Sequence, residues 1–474
     1  MSSFSLKVTS WALFLFFVQT IVLANYDATL YAHILFALFL FIIVWTVISF
    51  PIKGYAPRAL HPVIWVSLAF FLKYWAGPLA WLISPPKYTS YVFSFDPDDS
   101  LLPIVMAAVS YISIVFAAFL CTGLSQAPVM PKKYEDFMPS KRVVKLLIVV
   151  YVLALLFKGY FVYNGWMGSL FGWGEVKSVP VYAKLIKPFL EFTVILLTVL
   201  SFYARRKPKN WPIVIVLFLC DVMLHVAMGD RRDVLLYLGP LLVMKYFFPQ
   251  KKIPSNKVVL FLFALIFVFG LVTQINQSIN RYYFVADNAY IIGFVYGLQD
   301  FIANPLTGFY DALGIIKAYV STHMIDAAIH ARSLGYEYEY NPVLLYISGF
   351  LPGSSSLGFS LGGLSELQMP MTELALSYHS DPFLTNPLPG ENYIALGWFG
   401  VVSVSMLSGA MMMIFYHISV KSIFFWFWYW SLFQSLSMGF SGSLSGQVTY
   451  AIKGLWLMAL LGLLSSFFFS WKKK

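Results

Sequence analysis

Apolar runs of about twenty residues recur along almost the whole chain, separated by short polar connections, and this pattern restricts the fold more than any other feature. A helix crossing the hydrocarbon core needs roughly 20 apolar residues at about 1.5 Å each, with every backbone polar group paired inside the segment. Such runs fall at approximately 8–24, 30–50, 62–84, 101–123, 142–163, 180–203, 211–228, 232–248, 257–275, 391–416, 421–440 and 446–470. The expected fold is an all-α polytopic membrane protein of about twelve transmembrane helices, forming a single membrane domain over residues 1–474.

Composition agrees. Hydrophobic residues make up 59% of the 474 positions and charged residues 11%, which excludes an ordinary soluble globular domain. The net charge of +11 comes from basic residues grouped between apolar runs, not spread along one amphipathic face. That is the footprint of membrane topology, and nucleic acid is not expected as a partner. Cys121 and Cys220 lie inside apolar runs, away from any Cys-x-x-Cys or histidine-rich spacing, so neither a disulfide framework nor a thiolate metal site is expected. After the first run, Ala24-Asn25-Tyr26 lacks a small-x-small cleavage signal, and an uncleaved first span is expected.

Lysine and arginine set the orientation. With the N-terminus inside, Lys53 and Arg58, Lys132, Lys133, Lys141 and Arg142, Arg205, Arg206, Lys207 and Lys209, Lys251, Lys252 and Lys257, Lys421, and Lys472 to Lys474 all fall on the cytoplasmic side. The alternate connections are poor in basic residues, as the positive-inside rule requires. Both termini are therefore expected in the cytoplasm.

This orientation puts the long polar stretch 277–391 on the outer face, periplasmic or extracellular, as a loop capping the bundle. Within it, 289–302 is apolar enough to enter the bilayer, and 306–331 reads as an amphipathic helix with Leu313, Ile316, Tyr319, Val320 and Met324 on one side. Tyr336 to Tyr340 alternates aromatic and acidic residues, and 349–363 is rich in glycine and serine. Arg231 and Arg232, in the short turn Gly229-Asp230-Arg231-Arg232-Asp233, also fall on the outer face, where topology does not call for them. They either pair with the flanking aspartates or present positive charge to an anionic ligand.

No Walker A, Rossmann, nucleophile-elbow or His-Glu-x-x-His pattern stands where its mechanics would work. His323, Asp326 and His330 share a helix face at i, i+3 and i+7, but a solvated face explains them and no metal is expected. Asp221 and His225, at i and i+4 within a span, are expected to bond each other or to face the bundle interior. The inner loops are too short to hold a nucleotide-binding domain, so catalysis belongs on the outer face, with an activated lipid-linked donor and no cofactor. A polyprenyl pyrophosphate needs cations at the outer headgroup level, and Arg231, Arg232, Arg281 and Arg332 are expected there. The base for an acceptor hydroxyl is to be sought among Glu391, Glu373, Glu366, His379 and Asp311. Tyr336, Tyr338, Tyr340, Tyr378 and Tyr393 offer aromatic platforms for sugar.

These features resemble those of the bacterial O-antigen and oligosaccharide repeat-unit polymerases (Wzy-type), relatives of the O-antigen ligases. The likeness is carried by the many spans, the Gly-Asp-Arg-Arg turn, the large outer loop before the last spans, and Glu391-Asn392-Tyr393 followed by Leu396-Gly397-Trp398-Phe399-Gly400. Arg231 to Leu235 and Arg232 to Leu236 repeat the arginine-x-x-x-leucine spacing of the ligases. The resemblance implies a C-type glycosyltransferase-like bundle and metal-independent transfer of a glycan from undecaprenyl pyrophosphate onto a lipid-linked repeat unit, in the bacterial inner membrane. It implies that Arg231 or Arg232 and Arg281 or Arg332 hold pyrophosphate; beside them, Glu391, His379 and Glu373 are the expected catalytic residues, and Asn392, Tyr393, Tyr336 and Tyr338 are expected to meet the glycan. It implies membrane lipids and a chain-length regulator as partners. A ligase-like histidine is replaced by Glu391, which favours a polymerase, in lipopolysaccharide or capsule synthesis, over a ligase. A secondary transporter or flippase is the reading from another class, but transporters commonly show related halves and midplane sites, and this chain shows neither pattern.

Overall fold

The computed structural model describes residues 3–51, 61–83, 100–123, 141–164, 208–227, 289–303, 315–333 and 388–419, with scattered positions at 166, 180–204 and 267–278. Every regular element among them is helical. In chain order these are α1 (Ser3–Ala24), α2 (Leu30–Ser49), α3 (Pro62–Phe71), a π turn (Leu72–Ala76), α4 (Gly77–Ile83), α5 (Leu101–Gly123), α6 (Lys141–Tyr163), a 3-10 turn (Pro208–Asn210), α7 (Trp211–Ala227), α8 (Ala289–Ala303), α9 (Ile315–Ser333) and α10 (Leu388–Ser419).

Among the described residues, six stretches are long and apolar enough to cross a membrane: Phe4–Ala24, Leu30–Ser49, Pro62–Ile83, Leu101–Thr122, Val144–Tyr163 and Leu396–His417. The chain is a multi-pass α-helical membrane protein. Each of these stretches meets an expected apolar run, with ends shifted by a few residues, and α7 occupies the run at 211–228 as a shorter apolar helix. The runs at 232–248, 421–440 and 446–470 lie outside the described residues, as do most of those at 180–203 and 257–275.

The third span is interrupted where the sequence suggests a continuous run. Pro78 has no amide hydrogen and its ring crowds the carbonyl one turn back, at Tyr74, so the helix widens into the π turn Leu72–Ala76 before resuming at Gly77. The widened turn brings Trp75 against α1, where its indole Nε1 donates to Gln19 Oε1 at 3.1 Å. Gln19 Nε2 in turn donates to the His33 carbonyl at 2.9 Å, so one buried amide joins α1, α2 and the π turn.

His61 opens α3. Its Nδ1 accepts the Val63 amide at 3.3 Å, and its ring lies against Phe50 and Tyr416. Burial, with His417 nearby, pushes its imidazole down to about 3, so the acceptor nitrogen stays unprotonated. The end of α2, the start of α3 and the end of α10 therefore share one end of the bundle.

Among the described helices, α5 and α10 share the most extensive seam. Ser110 Oγ and Ser405 Oγ share a hydrogen at 2.7 Å, and one turn on, Gly409 lies against the Ile114 carbonyl. Both contacts join positions equally far apart in sequence, so the two helices run parallel. Small residues at such a seam let backbones approach where lipid supplies no hydrophobic drive between helices. Ser67 and Tyr111 add a 2.6 Å hydrogen bond from α3 to α5. Helix α9 packs against α10, the π turn, α4 and α5, burying Met324, Ile325, Ala327 and Ala328 while Asp326 and His330 stay exposed.

Candidate functional site

The first residues of α10 form a short helix of their own. Pro389 suits the opening turn, where its missing amide hydrogen costs nothing. Gly397 then takes φ 63° and ψ −150°, a backbone region open essentially to glycine alone, and breaks the helix ahead of the span. The break is sharp enough that the Asn392 carbonyl lies against Gly400. Across from it, a Cβ on Gly390 would stand 3.3 Å from the Ala328 Cβ, so the short helix rests directly on α9.

A helix that stops leaves its last carbonyls without intrahelical donors. Arg332, in the last turn of α9, supplies them: its Nη1 donates to the Tyr393 carbonyl at 2.9 Å and to the Ile394 carbonyl at 2.7 Å. The guanidinium also lies over the Tyr393 ring, 5.6 Å from its centroid. Tyr393 meets the Trp398 ring edge-on at 5.8 Å, so an aromatic contact spans the break. The other side of the guanidinium faces Gly397, where a Cβ would come within 3.4 Å of Cζ and Nη2.

The same short helix carries two buried polar side chains, Glu391 and Asn392. Glu391 is 5% exposed and Asn392 3%, and among the described residues neither oxygen of Glu391 nor Nδ2 of Asn392 has a hydrogen-bond partner. Buried polar groups are almost always paired, so such a cluster asks for a ligand or a proton. Burial pushes the Glu391 carboxyl, which lies ahead of the span Leu396–His417, up to about 8. A carboxyl that changes charge near neutrality can both accept and return a proton. Thr322 Oγ1 on α9 and Tyr74 OH in the π turn are likewise buried with no partner among the described residues.

Of the residues singled out from sequence, Arg332, Glu391, Asn392 and Tyr393 belong to this one cluster. Arg231, Arg232, Arg281, Tyr336, Tyr338, Glu373 and His379 lie outside the described residues. Two contributors went unread. Gly397 appeared only as part of a motif, although a glycine between a polar turn and an apolar run is the signal for a break. The carbonyls of Tyr393 and Ile394 carry no signature at all. Among the described residues, no group of histidine, cysteine, aspartate or glutamate side chains could hold a metal ion. No family model, curated protein or solved structure matches the chain.

A second charged cluster lies within the spans. Asp221 on α7 accepts from Lys158 Nζ on α6 at 2.7 Å and from the Tyr151 hydroxyl at 2.6 Å. Lys158 also donates to Thr193 Oγ1 at 2.7 Å. Asp221 thus faces the bundle interior and is bonded to a lysine on another helix.

Proposed function

We propose that the chain is a membrane glycosyltransferase that polymerises polyprenyl-pyrophosphate-linked oligosaccharide repeat units on the outer face of the bacterial cytoplasmic membrane. The observation that carries this reading is the buried Glu391 and Asn392 pair, whose carboxyl oxygens and Nδ2 have no hydrogen-bond partner among the described residues, on a broken helix ahead of a span. In the reaction, an acceptor sugar hydroxyl attacks the anomeric carbon of the donor, and the bond to pyrophosphate breaks. Glu391 takes the hydroxyl proton, and the polyprenyl pyrophosphate leaves with the negative charge. Arg231, Arg232 and Arg281 neutralise that charge, with the donors of Arg332 not engaged by the helix break adding to them. Asn392 and the Tyr393 ring bind the glycan, with Tyr336 and Tyr338 extending that surface. His379 and Glu373 are the alternative proton acceptors in the outer loop. The full bundle has about twelve spans with both termini cytoplasmic, as the distribution of basic residues requires.

A ligase acting on the same donor is the nearest alternative and would move a finished glycan without lengthening it. A secondary transporter or flippase draws on the helix break itself, because discontinuous helices line transporter sites. The position of Glu391 ahead of the span Leu396–His417, at the end of the bundle, favours surface chemistry over a midplane site.

The test is to incubate purified protein with a defined lipid-linked oligosaccharide, without nucleotide or metal, and to resolve the products on a gel. A ladder of longer oligomers is expected, and its absence counts against a polymerase. An unchanged ladder from Arg232→Ala or Arg281→Ala removes those residues from the pyrophosphate site.

A further inference from the structure

Helix α9 holds the short opening helix of α10 at two points one turn apart. Ala328 meets Gly390 near its start, and Arg332 meets the Tyr393 and Ile394 carbonyls at its end. The amide that a continuous helix would offer Ile394, that of Trp398, lies beyond the break at Gly397. We propose that Arg332 is a positioning residue, whose guanidinium caps the carbonyls left at the Gly397 break and thereby fixes the short helix that carries the Glu391 carboxyl and Asn392 amide. Its Nη1 is committed to backbone, and its ring contact with Tyr393 sets the angle at which the side chain enters. Gly397 is the other half of the device. It supplies the break, at a positive φ that a residue with a side chain would hold only under strain.

The cap keeps Glu391 out of water without touching its carboxylate. Burial, not a neighbouring charge, raises that carboxyl. The acidic and basic groups on the described elements packed against α10 are Lys317, His323, the exposed Asp326 and His330, and Arg332 on α9, none on α5, and His61 at the far end of α3. Loosening the cap lets water reach Glu391, which returns its titration toward the ordinary carboxyl range. The consequence for glycosyl transfer rests on the function proposed above, whereas the placement of Glu391 does not.

The experiment uses full-length, substrate-free protein in lipid vesicles and N,N′-dicyclohexylcarbodiimide, an apolar reagent that attacks protonated carboxyls. Adduct at Glu391 is quantified by peptide mass spectrometry across pH. The wild type is expected to label at neutral pH and to lose labelling as pH rises through about 8. Arg332→Met and Gly397→Ala are each expected to shift that loss to lower pH and abolish labelling at neutral pH, while Arg332→Lys, which keeps a donor for the carbonyls, labels as the wild type does. Either Arg332→Met or Gly397→Ala, recovered monodisperse, with an unaltered labelling profile would overturn the assignment. Gly397→Ala decides alone where Arg332→Met does not fold. Labelling that behaves as expected in a protein that forms no glycan ladder leaves the positioning role standing and removes the polymerase.

Discussion

Lys158 and Asp221 meet at 2.7 Å across two helices, with neither side chain exposed to solvent. Each charge is costly in a membrane interior, and further hydrogen bonds offset that cost: Tyr151 donates to the second carboxylate oxygen and Thr193 accepts another lysine hydrogen. Removing one partner strands the other. Lys158→Met is expected to destabilise the protein by about 3–5 kcal/mol, and Lys158→Met with Asp221→Leu by less than the two single changes together. Denaturant titration of the purified variants in detergent gives both values, and strict additivity would show that the pair is not coupled.

The seam between α5 and α10 depends on the absence of a side chain. Gly409→Val places atoms where the Ile114 carbonyl already lies, and it is expected to cost about 1–3 kcal/mol through overpacking. Ser110→Ala with Ser405→Ala is expected to show a coupling of about 0.6 kcal/mol, the usual worth of a hydrogen bond between membrane helices. A double-mutant cycle on thermal unfolding reads it directly.

Glu391 makes stability depend on pH in a stated direction. Its folded-state carboxyl is raised from 4.5 to about 8, so the folded protein binds more protons than the unfolded one between those values. Stability from this group is fully present below about 4.5 and is lost as pH climbs through about 8, a change on the order of a few kcal/mol. Glu391→Gln is expected to flatten that decline, and unfolding curves at pH 5, 7 and 9 test it. A wild-type slope retained in Glu391→Gln assigns the decline to another group.

Orientation can be read with a reagent that does not cross membranes. A cysteine at Ser356, in the stretch 277–391 that the positive-inside rule puts outside, is expected to react with an impermeant maleimide on intact cells, while one at Lys252 reacts only after lysis. The reverse pattern would put both termini outside.

Spans were legible because their signal is long and redundant: the run at 101–123 and the helix Leu101–Gly123 coincide, since lipid demands an unbroken apolar helix there. Breaks were less so. Pro78 and Gly397 each change a helix through one residue, and a window wide enough to see a span averages them away. Part of the site was legible as residue types, in Arg332 and Glu391-Asn392-Tyr393, but not as geometry. Arg332 was read for its charge, and the structure engages it with two carbonyls, which every residue has and no sequence marks. Lys158 stands alone inside an apolar run, where a lysine calls for a buried acid, but the sequence does not show that Asp221, 63 positions on, is that acid.

The parallel α5–α10 contact also sets an order of events. Ser110 and Ser405 lie 295 positions apart, and at about 5–20 residues per second the ribosome needs on the order of tens of seconds to traverse that interval. For all that time α5 sits in the bilayer with its small-residue face awaiting a helix not yet made. The turn bearing Glu391 can settle only once that late arrival docks, so a nascent chain holds Glu391 in this buried setting only after α10 has joined α5.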